Sequence, residues 1–167
     1  QFFKTELLNN KNLNINVIFN SNKILPYQKI INLVLNFKIK EGLIDIDNTK
    51  FNWSKYAEFE IFNSLLYVNN NNLVLDGKLL LKISNYNEIY KVLQTPRNYR
   101  SEIEKIEFDF VYNFDQQIMN LKNVKINGQI NQNVNKVLSE YISQKSILQN
   151  KIYFKNLMNQ AIKSYAG

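Results

Sequence analysis

The stretch FEIFNSLLYVNNNNLVLDGKLLLKI, residues 59–83, decides the fold. Apolar residues alternate with polar ones on both sides of four consecutive asparagines, Asn69–Asn72. Alternation with period two is typical of half-buried β-strands, and asparagine tolerates the positive φ angles of tight turns. The sequence therefore predicts two long antiparallel strands joined by a hairpin at the asparagines.

The same alternation extends along the chain on both sides of this hairpin. The further strands that it predicts are residues 13–19, 31–39, 43–47, 106–114 and 119–126. The phase changes between Leu121 and Val124, which predicts a β-bulge. We therefore expect a sheet over residues 12–84 and 103–128.

Three segments change to a helical period of apolar residues. We predict helices near residues 86–94, 131–144 and 152–165, the first ended by Thr95-Pro96. The stripe of the first helix is Tyr86, Ile89, Tyr90 and Leu93, and that of the last is Phe154, Leu157, Met158, Ala161, Ile162 and Tyr165. The predicted fold class is α+β and β-dominated, a single domain over residues 1–167. A long, curved, groove-like antiparallel sheet carries a short mid-chain helix and two C-terminal helices.

The composition excludes several classes of protein. Hydrophobic residues make up 45% and charged residues 21% of the chain, which excludes a fully disordered chain. Cysteine and histidine are absent, so disulfides, thiolate nucleophiles, Ser-His-Asp triads and His-ligated metal sites are excluded. We expect no enzyme activity, no cofactor and no metal. The net charge of +7 could attract nucleic acid. AT-rich codons explain the lysine and asparagine more simply, so we expect no nucleic-acid partner.

Two groups of carboxylates could bind a metal or act as acid and base. They are Asp45 with Asp47, and Glu102 and Glu104 with Glu107 and Asp109. Both patterns are more typical of solvent-facing residues beside a turn or at a sheet edge. No catalytic or metal site is therefore predicted.

Arg97 and Arg100 are the only arginines in this lysine-rich chain. Arginine binds phosphates and carboxylates through two parallel hydrogen bonds. One interpretation is a lipid headgroup site. The favoured alternative is a local anchor that pairs with Glu102, Glu104 or the carbonyls at the end of the preceding helix.

Nine apolar residues share the phase of their strands and form the candidate lining of an apolar groove. They are Leu33, Leu35, Phe37, Phe59, Ile61, Leu79, Leu81, Phe108 and Phe110. A continuous apolar sheet face has to be covered, and the few helices leave room for a bound acyl chain. The alternative is a closed sandwich core without a ligand.

Several stretches of the chain resemble the C-terminal region of bacterial AsmA-like proteins, roughly from Lys38 to Gly167. The resemblance rests on Gly42 before the strand IDID, on Leu75-Asp76-Gly77 within a hairpin strand, on the segment from Tyr90 to Arg100, and on the helical end of the chain. None of these is a catalytic signature.

The resemblance implies a non-enzymatic envelope protein whose β-groove is implicated in phospholipid transport and outer-membrane maintenance. It implies phospholipid acyl chains as partners and a periplasmic location, with an inner-membrane anchor in a longer protein. We then expect the chain to continue upstream as more sheet, so that the strand from Leu13 to Phe19 offers an exposed edge. The alternatives are a structural or interaction domain without a ligand and a basic nucleic-acid-binding protein.

Overall fold

A computed structural model describes residues 11–25, 29–142 and 150–167. Within these residues nine strands form one antiparallel sheet, and three α-helices accompany it, which confirms the predicted fold class. The strands are β1 (Asn14–Lys23), β2 (Ile30–Lys40), β3 (Leu43–Asp45), β4 (Thr49–Trp53), β5 (Ala57–Asn69), β6 (Asn72–Ile83), β7 (Lys105–Asn113), β8 (Ile118–Ile126) and β9 (Gln129–Ile130). The helices are α1 (Tyr86–Leu93), α2 (Gln132–Ile142) and α3 (Lys151–Ala166), and a 3-10 helix covers Arg97–Tyr99.

The strands follow one another across the sheet almost in sequence order. The order is β1-β2-β3-β5-β6-β7-β8-β9, and β4 also pairs with both β2 and β5. The asparagine hairpin joins β5 to β6, with Asn69 opposite Asn72. Asn70 and Asn71 have φ angles of 47° and 63°, as the predicted tight turn requires.

Several strands differ from the sequence-based expectation, among them β9, which no alternation predicted, and β3, which ends at Asp45 instead of Asp47. The alternation did not predict β4, whose five residues follow directly on a turn at Asn48 with a φ angle of 63°. The first strand extends beyond Phe19 to Lys23. The predicted last residues of the second helix, 143 and 144, lie outside the described residues.

Cross-strand pairing divides the sheet into an apolar face and a charged face. On the apolar face Phe59, Leu81 and Ile106 are direct neighbours on three strands. The other face carries cross-strand ion pairs: Lys50 with Glu60, Lys82 with Glu58, Lys78 with Asp109, and Lys125 with Glu107. The hydrogen bond from Lys50 lowers the pKa of the Glu60 carboxyl. The charged side chains of this face therefore pair with one another and can face water. The apolar residues of the opposite face have to be covered by other parts of the protein or by a ligand.

Three register shifts keep the apolar residues on one face. They lie at Asn32 in β2, Asn63 in β5 and Asn123 in β8, and each of these asparagines has a φ angle between 49° and 54°. A bulge inserts one residue and changes the phase of the strand. After Asn63 the apolar face therefore continues through Leu66 instead of Leu65, since Leu66 pairs with Leu75.

Buried apolar residues form two clusters. The larger lies between the three helices and strands β5–β8, and includes Tyr90, Val124, Leu138 and Leu157. The smaller contains Ile39, Ile44 and Leu66. The apolar face is thus covered by helices at one end of a single sheet. The two facing sheets of the sandwich alternative do not occur among the described residues.

A close approach of β6 to β5 requires glycine at position 77. The amide and hydroxyl of Ser64 both donate to Oδ1 of Asp47, at 2.6 and 2.7 Å, and hold the bulged strand in place. A Cβ at Gly77 would lie 3.1 Å from Cα and Cβ of Ser64 and 3.3 Å from the ring of Phe110. Because hydrogen bonds hold the backbone of this bulge, it cannot move easily to make room for an added Cβ.

We expect Gly77→Ala to lower the free energy of unfolding by about 2 kcal/mol, because the added methyl group overpacks this site. Urea unfolding followed by fluorescence of Trp53, the single tryptophan, measures the change. Gly167→Ala is the control, since an added Cβ there meets nothing closer than the carbonyl oxygen of Lys163, at an ordinary contact distance of 3.4 Å. Equal effects of the two changes would contradict the steric explanation.

Candidate apolar binding site

A cavity of about 310 Å³ lies between the apolar face of the sheet and the three helices. The sheet side is formed by Phe51, Trp53, Phe59, Leu79, Leu81, Ile83, Ile106, Phe108, Met119, Leu121, Val124 and Ile126. The helix side is formed by Tyr86, Ile89, Tyr90, Leu93, Val134, Leu138, Phe154, Leu157, Met158, Ala161, Ile162 and Tyr165, and Ile103 lies between the two. Among the described residues, no polar atom contributes accessible surface to its wall. The wall can therefore interact with a ligand only through apolar contact and dispersion.

Helix α1 is fixed at both ends beside this cavity. The side chain of Asn85 accepts a hydrogen bond from the amide of Glu88, 3.1 Å away, and caps the first turn. Gln94 ends the helix in the left-handed conformation, with a φ angle of 57°. The four apolar residues of the α1 stripe consequently all face the cavity.

A buried polar network ties α1 to α3. The hydroxyl of Thr95 donates to Oδ1 of Asn159 over 2.7 Å, and Nδ2 of Asn159 donates to the carbonyl of Leu93 over 2.8 Å. Thr95 is almost completely buried, and its carbonyl accepts a hydrogen bond from Nε of Arg100. A buried network with satisfied partners fixes one relative arrangement of two elements. The spacing between α1 and α3, and with it the cavity, is set by these contacts.

Helix α2 is attached to the bulge of β8. Oδ1 of Asn135 accepts the amide of Val124, 2.9 Å away, because the bulge at Asn123 releases that amide from the strand ladder. Oδ1 of Asn131 accepts the amide of Val134 and caps the helix. The bulge thus positions Val134 and Leu138 over the sheet.

Tyr90 connects the helix side of the cavity to the chain that leads into β7. Its side chain is 1% exposed, and its hydroxyl donates to the carbonyl of Ser101. Burial, with smaller contributions from Tyr165 and Tyr86, raises the pKa of Tyr90 to about 12. The phenol is therefore neutral at physiological pH and keeps its donor role.

The cavity brings together four of the nine predicted groove residues. Phe59, Leu79, Leu81 and Phe108 line it. The other five lie on the same face of the sheet but outside the cavity, namely Leu33, Leu35, Phe37, Ile61 and Phe110. The cavity therefore contains only part of the predicted lining, because the helices cover the end of the sheet formed by β5–β8.

The residues that sequence reasoning left out of the site lie on the helices. All ten residues of the α1 and α3 stripes line the cavity, whereas the predicted lining consists of strand residues alone. The sequence does contain a signal for the helix side of the cavity. Two apolar stripes and one apolar sheet face each need a surface to cover them, and they can cover one another.

Arg97 and Arg100 lie in the connection between α1 and β7, as predicted. Nε of Arg100 donates to the carbonyl of Thr95 over 2.9 Å, just beyond the end of α1. Within the described part of the chain, neither arginine forms an ion pair with Glu102 or Glu104. Neither arginine lines the cavity.

The carboxylate groups are engaged in structural contacts. Oδ1 of Asp47 accepts both donors of Ser64, and Oδ1 of Asp45 accepts the amide of Asp47. Glu107 pairs with Lys105 and Lys125. In the residues that can be described, no cluster of three or more acidic side chains could hold a metal ion. The same residues include no helix with the length and hydropathy needed to cross a bilayer.

Comparison with protein-family models, curated proteins and solved structures finds no significant match for this chain.

Proposed function

We propose that this chain is a non-enzymatic lipid-binding domain that holds phospholipid acyl chains in the cavity between its sheet and its helices. The observation that carries the proposal is the volume of about 310 Å³ combined with an entirely apolar wall. This volume lies at the lower end of the range of ligand sites, about 300–1,000 Å³. Apolar cavities of about half this size stay dry and bind small hydrocarbons.

The energetics of apolar burial support an apolar occupant. Each methylene group placed inside would contribute about 0.8 kcal/mol. An acyl chain matches such a wall because it requires no hydrogen-bonding partner.

The wider role follows from the resemblance to AsmA-like envelope proteins. We propose that the domain is part of a periplasmic protein, anchored in the inner membrane, that moves phospholipids towards the outer membrane. The charged face of the sheet would remain in water while acyl chains contact the apolar face. This role depends on the resemblance, whereas acyl-chain binding depends on the cavity.

Lipid extraction and ligand titration test acyl-chain binding. We expect lipid to co-purify with the protein, and delipidated protein to bind a fluorescent long-chain fatty acid saturably at one site. Trp53 lines the cavity, so its emission should change during the titration. Absence of both co-purified lipid and saturable binding would leave a structural or interaction domain as the function.

The two arginines distinguish a headgroup site from a local anchor. We expect the double change Arg97→Gln and Arg100→Gln to lower the free energy of unfolding by about 1 kcal/mol, because the bond to the Thr95 carbonyl is lost. Binding to anionic vesicles should stay unchanged in flotation assays. Arg97→Gln alone is the matched control and should alter neither quantity. Weaker vesicle binding at unchanged stability would instead assign the arginines to a headgroup site.

A further inference from the structure

The two edges of the sheet differ in how they are protected. Strand β9 is only two residues long, and short edge strands resist pairing with other chains. Strand β1 has ten residues and, among the described residues, pairs with β2 alone. Its pairing with β2 keeps one register without a gap from Asn14 to Ser21, so no bulge distorts this part of the strand. Its outer side is a regular template for another strand.

The side chains of β1 also lack the features that prevent pairing. The strand NINVIFNSNK contains no proline, and its only charge is Lys23 at the last position. Exposed fractions of Ile15, Val17 and Phe19 are 40%, 50% and 54%, although all three lie on the apolar face. Asparagine dominates the other face. Charged residues and prolines are the usual protection of an edge strand, and β1 has neither in its centre.

We propose that β1 pairs antiparallel with β1 of a second copy of this chain, about a two-fold axis at Val17. In this register Ile15 of each copy lies opposite Phe19 of the other, and the two Val17 side chains lie opposite each other. Asn14 lies opposite Asn20, so no like charges meet between residues 14 and 20. The strand is self-complementary, which a closed symmetric dimer requires.

The pairing would join the apolar faces of two sheets into one continuous surface. Residues that lie directly opposite each other in paired strands point to the same side of the sheet. In the symmetric dimer the apolar faces of both copies therefore lie on one side of the joined sheet. The inference is independent of acyl-chain binding, since the cavity lies at the other end of the sheet.

The wild-type protein provides the first test. Sedimentation velocity should show a dimer that dissociates on dilution, and hydrogen exchange of the amides of β1 should slow as the protein concentration rises. Amides of β9, at the other edge, serve as the internal control and should exchange at a rate independent of concentration. A monomer at every concentration would overturn the proposal.

Charge substitutions provide the second test. We expect Val17→Lys and Val17→Glu each to raise the dissociation constant about 100-fold, because the apolar contact between the two Val17 side chains is lost and like charges meet. An equimolar mixture of the two variants should recover the dimer, since opposite charges then face each other. Val68→Lys, at a valine that is 42% exposed in β5, is the matched control and should dimerise normally. A mixture that stays monomeric, or a control that dissociates equally, would contradict pairing through β1.

Discussion

Replacing Ala161 with leucine is expected to raise the free energy of unfolding by about 1 kcal/mol. Ala161 is buried in α3 and lines the cavity, so the added carbon atoms enter empty space. They also occupy volume that a ligand needs. Displacing about three methylene groups of an acyl chain should weaken its binding roughly fifty-fold. Urea unfolding and fatty-acid titration of the same preparation measure the two effects.

Ala57→Leu is the matched control for this prediction. Ala57 is as buried as Ala161 and belongs to the same cluster, but it does not line the cavity. The same substitution should therefore overpack its site and lower the free energy of unfolding by about 1–3 kcal/mol. If Ala161→Leu destabilised the protein to the same extent, the space beside Ala161 would not be available to a ligand.

Much of the fold could be predicted because its signals are local. Asn69–Asn72 lie between two alternating runs, and a tight asparagine turn is enough to make those runs an antiparallel pair. The α1 stripe is likewise bounded by a capping asparagine and by Thr95-Pro96. Each of these elements carries its own start, period and end within a few residues.

The bulges and the position of the site could be predicted only in part. The bulge at Asn123 is visible in the sequence, because Leu121 and Val124 are both apolar and out of phase. The bulge at Asn63 is hidden, since Leu65 and Leu66 are both apolar and either phase fits. The helix side of the candidate site depends on which end of the sheet the helices cover. Long-range contacts such as that between Thr95 and Asn159 decide this, and no local pattern encodes them.

Replacing Tyr90 with phenylalanine is expected to lower the free energy of unfolding by about 1–2 kcal/mol near neutral pH, because the buried carbonyl of Ser101 loses its donor. The ring stays in place, so the cavity should keep its volume. Urea unfolding measured at a series of pH values between 8 and 12 tests this loss and its pH dependence together.

The pH dependence follows from the raised pKa of Tyr90. An unfolded tyrosine ionises near pH 10, whereas the buried phenol keeps its proton until about pH 12. The unfolded state therefore releases its proton first, so the contribution of this group is complete below pH 10 and is lost as the pH rises towards 12. A difference of about two pKa units corresponds to roughly 2–3 kcal/mol. Between pH 10 and pH 12, the free energy of unfolding of the wild-type protein should therefore fall by this amount more than that of Tyr90→Phe.

The difference between the two proteins isolates Tyr90 from the other groups that titrate at alkaline pH. Burial also raises the pKa of Tyr67, and Glu58 raises that of Lys82, but both groups are present in wild type and variant alike. We therefore expect the wild-type curve to fall towards that of Tyr90→Phe above pH 10 and to cross it before pH 12, because the additional loss of roughly 2–3 kcal/mol exceeds the initial advantage of about 1–2 kcal/mol. Parallel curves would mean that the phenol ionises equally readily in the folded and unfolded protein, which would contradict the raised pKa of Tyr90.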